Sequence, residues 1–187
     1  MEIWILVAVI ALLLLWAIVI YNQLIALKNE VKNAWKQIDV QLKRRHDLIP
    51  NLVTVVKGYM EFERETLEKV TAARARAIST SGLREKVSAE NLLSQELSGL
   101  FAVIENYPVL KSNENVLQLQ EELTSTENRI AFARQLYNDL VANFATRIES
   151  FPSNIIASIF RFRKAEYYFI GEIDRSLPVA DMSARPK

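Results

Sequence analysis

The chain has no cysteine, one histidine, 4 glycines and 5 prolines in 187 residues. Without cysteine it can form no disulfide, no thiol nucleophile and no thiolate metal site, and the composition suits a reducing compartment. A single histidine, His46, is too few for a multi-histidine metal hydrolase, and no Glu-x-x-His pair is present to line a carboxylate-bridged metal site in a bundle. The glycines at 58, 82, 99 and 171 are isolated, so no loop can cradle phosphates, and no G-x-S-x-G elbow presents a serine nucleophile. We therefore expect no catalytic residue, no metal and no cofactor. Net charge is only +1, with no strongly basic face and no basic motif interleaved with aromatics, which argues against a nucleic-acid partner.

What the chain does have is length without helix breakers. Ile3 to Ile20 carries no charged or strongly polar side chain and spans about 27 Å as a helix, close to the hydrocarbon thickness of a bilayer. A cleaved signal is disfavoured because the stretch has no basic leader and no small-x-small site. Ile3, Trp4, Trp16, Ile20 and Tyr21 mark the anchor, with the aromatics placed for the interfaces. Lys28, Lys32 and Lys36 follow the span while only Met1 and Glu2 precede it. The positive-inside rule then puts the N-terminus outside and the body in the cytoplasm.

From Tyr21 onward no Gly or Pro interrupts the helix until Pro50, and Leu24, Leu27, Val31, Ala34, Trp35, Ile38, Leu42, Ile49, Val53 and Val56 keep helical spacing. Pro50 is expected to kink the helix without ending it, since the stripe continues in phase through Tyr59, Met60, Leu67 and Val70 before fading near Gly82. A second helix is expected over about Glu85 to Asn106, and a third over about Asn113 to Ser150. The third carries a seam of Val116, Leu119, Leu123, Thr126, Ile130, Ala133, Tyr137, Leu140, Phe144 and Phe151. After Pro152 a short helix capped by Ser153 or Asn154 is expected, then an extended tail. The organisation is an anchor (1–21), an all-α body of long antiparallel helices of four-helix type (22–166) and a tail (167–187). Trp35, Tyr59, Tyr107 and Tyr137 are assigned to the core.

Three separated blocks, YNQLIALKNEVKNAWKQIDVQLKRRHDLIPNLV, ENYPVLKSNENVLQLQEELTSTENRIAFARQLYN and FPSNIIASIFRF, resemble the LemA family of bacterial membrane-anchored proteins, in the family's order and over nearly all of the chain after the anchor. The resemblance implies one N-terminal transmembrane helix in a bacterial inner membrane, an antiparallel cytoplasmic bundle and a link to membrane upkeep. It implies no reaction.

The polar turn Lys43, Arg44, Arg45, His46 and Asp47 is the candidate interaction site. Three readings stand for it: a solvated helix face, contacts with acidic groups such as Glu121, Glu122, Glu127 and Asp139 on the third helix, or contacts with a neighbouring subunit. A lipid-binding patch is poorly supported, because Lys43 lies about 33 Å along a straight helix from Tyr21. HDLIPNL also resembles, one residue out of register, the phosphoacceptor segment of sensor kinases, so a histidine-phosphotransfer or signalling bundle is the alternative function. The expectation is a non-enzymatic membrane scaffold or adaptor. Its partners would be membrane lipid, further copies of itself and other membrane proteins, with residues 167–179 laid across a neighbouring copy.

Overall fold

The computed structural model describes residues 1–60 and 63–168. Among them are six helices and no strand: α1 (Glu2–Lys57), α2 (Arg64–Ser79), α3 (Leu83–Ile104), α4 (Pro108–Lys111), α5 (Glu114–Glu149) and α6 (Ser153–Ile159). The all-α expectation holds. α1 is 56 residues long, about 84 Å, and is the one described helix long and apolar enough to cross a membrane. Its first 15 residues are exposed, Ile3 and Trp4 among them, as a lipid-facing surface must be.

α1 runs through Pro50 without interruption, so the proline does not end the helix, as expected. Proline has no N–H to give to the carbonyl four residues back, which is that of His46. Arg74 of α2 donates its Nε–H to that carbonyl at 2.7 Å, so a neighbouring helix satisfies the group that Pro50 leaves open. We expect Arg74→Ala to lower stability by about 1.5–3 kcal/mol, the range for a charged hydrogen bond. In a Pro50→Ala background the same change should matter much less, because the restored N–H takes the carbonyl. A double-mutant denaturation cycle checks this.

The helix does not continue beyond Lys57 as the in-phase stripe suggested. It ends at Gly58, and α2 starts afresh at Arg64. Leu52, Val56 and Met60 on one side of the break and Leu67, Val70 and Ala73 on the other all bury into one core, so a turn between two core-facing stripes imitated a single stripe. Tyr59, expected in the core, is exposed at this turn. Gly82 opens α3 with φ of +101°, a conformation that L side chains rarely adopt, and an added Cβ would meet Glu85 Oε2 at 2.5 Å. Gly82→Ala should cost about 1–3 kcal/mol in a denaturation experiment.

α5 starts at a cap as expected, with Asn113 Oδ1 accepting from the backbone N–H of Asn115 and Val116. Its buried residues are Val116, Leu123, Thr126, Ile130, Tyr137, Val141 and Phe144. Leu140 packs half-buried on the core beside the fully buried Val141, and Phe151 lies beyond the helix end and is exposed. Two further corrections follow at this corner. The α6 cap is Pro152, not Ser153 or Asn154, and the Ser153 hydroxyl donates back to the carbonyls of Arg147 and Ser150.

α5 packs antiparallel along α1, from Gln23 beside Arg147 to Arg45 beside Glu127, and the α2–α3 pair closes the far part of the bundle. The core falls into three levels along α1. Ile20 and Leu24 meet α6, Val31 to Leu42 meet α5, and Ile49 to Val56 meet α2, α3, α4 and the start of α5. The tail is not free at its start. Phe162, Ala165, Tyr167 and Tyr168 pack on the middle level of this same chain, which corrects the expectation that Tyr167 leaves the bundle. The rest of that expectation, from Phe169 onward, lies outside the described residues.

Candidate functional site

Helical spacing puts Arg45 on the buried stripe of α1, three residues after Leu42 and four before Ile49, exactly where an apolar residue belongs. The same holds for Glu90 on α3, three residues after Val87 and three before Leu93. The two charges meet inside the bundle, Arg45 at 1% and Glu90 at 0% exposure. Together with Thr126 and Glu127 of α5 they form a polar layer between the middle and far levels of the core.

Arg45 Nη2 pairs with the Glu90 carboxylate, while Nη1 donates to Ser94 Oγ at 2.8 Å and to Glu127 Oε2 at 2.5 Å. His46 Nε2 is 3.0 Å from Glu90 Oε1, at ion-pair distance but off the alignment of a full hydrogen bond, and neither atom has another partner among the described residues. Burial pushes the Glu90 carboxyl up, but the neighbouring His46 and the Arg45 guanidinium outweigh it and hold the carboxyl below its ordinary range. The Glu127 side chain is half exposed, so the layer grades from a dry carboxylate to a wet one.

The five candidate residues thus separate. Arg45 and His46 face inward, while Lys43, Arg44 and Asp47 are exposed. Arg44 reaches Glu122 only at 3.8 Å with both side chains substantially exposed, a pair of little energetic weight. Of the acids named from the sequence, Glu122 and Glu127 approach the basic turn, and Glu121 and Asp139 are exposed. Glu90 was missed. The signal for it was a carboxylate at a position where the core-facing stripe of α3 calls for an apolar residue.

This arrangement can hold three helices in one register, since an unpaired buried charge is far costlier than a paired one. It is poorly built for group transfer. His46 is largely buried with its Nε2 against a carboxylate, which opposes both the approach of a donor and the charge of a phosphoryl group. No group of three or more potential metal ligands occurs among the described residues.

The chain is 30% identical to protein LemA of Metamycoplasma hominis, over 82% of this chain and 71% of that one. It is 23% identical to magnetosome protein MamQ 2 of Paramagnetospirillum magneticum and to magnetosome protein MamQ of Magnetospirillum gryphiswaldense, over 79% of this chain; it spans only 64% of either of those proteins. The LemA family pattern matches residues 34–180, which include the whole polar layer and α2 to α6, and the chain belongs to the LemA family.

Proposed function

We propose that this protein is a non-enzymatic scaffold, anchored in the bacterial inner membrane with its N-terminus outside, which assembles side by side with copies of itself. The observation that carries the reading is α1, a single unbroken helix that is both the membrane span and the central element of the bundle. With no joint between them, the anchor fixes the height of every surface on the body. Antiparallel pairing puts exposed Val40 of α1, between Lys36 and Lys43, at the height of exposed Phe132 and Leu136 of α5, near Asp139. Parallel anchors would bring surfaces of equal height together, and each of these two is exposed and apolar at its centre. Lys28, Lys32 and Lys36 after the span support a cytoplasmic body.

The test is the mass of the full-length protein in nanodiscs or mild detergent. We expect an oligomer at micromolar concentration, and dissociation in the Val40→Asp, Phe132→Asp variant with helical content unchanged. A monomeric wild type would overturn the reading. The phosphotransfer alternative predicts acid-labile phosphate on His46, lost in His46→Gln together with function.

A further inference from the structure

Among the described residues, nothing in the bundle covers the apolar side chains at the α5–α6 corner. Phe151 is 79% exposed and Ile159 65%, with Ile155 and Phe160 also open, in a stretch of ten residues. Their other faces fix where they stand. Ile156 and Ala157 of α6 pack on Ile20 and Leu24 of α1, against the half-buried Ala17, and the Phe160 ring is 4.6 Å from that of Tyr21. The corner is therefore held at the level where the apolar span ends, beside Trp16 and Val19, whose exposed faces already demand lipid.

We propose that α6 and its flanks lie in the interfacial layer of the bilayer as a second membrane contact, with Phe151, Ile155, Ile159 and Phe160 in the boundary between headgroups and acyl chains. Three features of the corner fit a phospholipid surface better than a second protein copy. The exposed apolar side chains are continuous with the lipid-facing surface of α1. An amphipathic helix lying flat at this depth buries its apolar face while cationic flanks meet phosphates. Such flanks are present, because Arg161 and Arg163 are exposed immediately after α6 and Arg147 stands at the rim of the cleft shared by Trp16, Val19 and Pro152.

The turn that ends α6 agrees with this. Phe162 N–H donates to the Ala157 carbonyl at 2.9 Å and Arg161 N–H to that of Ser158 at 3.2 Å, with Arg161 in the left-handed region at φ 55°. Glycine is the usual residue at such a position, and here an exposed arginine holds it. The turn then sends Phe162 back onto Phe144 and beneath Lys28, away from the membrane. A contact of this kind would fix the tilt and rotation of the bundle, which a single span leaves free, and it does not depend on self-association.

The absence of cysteine makes the test direct. Full-length protein carrying one cysteine, at Ile155, at Ile159 or at the exposed control Val109 at the far end of the bundle, is labelled with a bimane fluorophore in phosphatidylcholine–phosphatidylglycerol nanodiscs. We expect lipids brominated in the upper acyl chain to quench the labels at Ile155 and Ile159 several-fold more than the label at Val109, and aqueous iodide to show the reverse order. All three positions are exposed, so unchanged helical content is expected and is measured for each. Iodide access at Ile155 and Ile159 equal to that at Val109 would overturn the proposal. Protection from iodide without quenching by brominated lipid would overturn it as well, since a protein copy would then cover the corner.

Discussion

Replacing Arg45 by methionine should lower stability by about 3–5 kcal/mol, because it strands the Glu90 carboxylate in the dry centre of the bundle. The size of the effect comes from Glu90 rather than from the lost arginine contacts. Methionine fills similar volume, and Glu127 and Ser94 lie at the partly exposed side of the layer, where water can replace the guanidinium. Glu90, fully buried, keeps only His46, whose Nε2 is 3.0 Å from Oε1. The double variant Arg45→Met, Glu90→Leu should therefore recover to near wild-type stability or above it, since two packed apolar side chains remove the desolvation of both charges. Denaturant titration of the four proteins in one detergent checks the cycle. Strict additivity of the two changes would show that the pair is not coupled.

The pH dependence has a determined sign. A carboxyl held below its unfolded value contributes stability that is complete above the unfolded pKa, about 4.3 for glutamate, and is lost as pH falls through the folded value. Wild type should thus weaken on acidification below about pH 4. Arg45→Met should lose less over the same window, because protonation relieves its stranded carboxylate. The stability curves of the two proteins should converge in acid.

How far the sequence could be read depends on whether a signal was local. The continuity of α1 from span to bundle, the start of α5 at Asn113 and the helical run through Pro50 all rest on neighbours within one or two turns, and they are as expected. The break at Gly58 was hidden because both flanking stripes face the same core. Phe151 continued the heptad count on paper, but the backbone has already left the helix at Ser150. In the polar layer Arg45 and His46 were visible as an unusual turn, whereas their true partner required knowledge that α3 lies across α1. Two charges on two buried stripes, Arg45 after Leu42 and Glu90 after Val87, were a legible hint that they meet.

The end of the body should tolerate truncation far less than a free tail would. Tyr168 is 2% exposed, its ring against Trp35 and beneath the Arg134 guanidinium, whose carbon is 4.7 Å from the ring centre. Asn138 clasps its backbone, accepting from the Tyr168 N–H at 2.8 Å and donating to its carbonyl at 3.1 Å. A segment without helical period is thereby fixed as firmly as a helix, and no periodicity argument could reveal it. Tyr168→Ala should cost about 3–5 kcal/mol, as for other large buried aromatics, and ending the chain after Glu166 should cost at least as much. Asn138→Ala should cost about 1–3 kcal/mol, because two backbone groups lose their partner. Among the described residues the phenol oxygen has no well-aligned hydrogen bond, with only the Arg134 guanidinium beside it, so Tyr168→Phe removes little and should leave stability unchanged or slightly raised. That ordering, Ala far below wild type and Phe level with it, isolates the ring as the holding element. Denaturation of the full-length variants in one detergent measures it, and equal losses for Ala and Phe would place the energy in the hydroxyl instead.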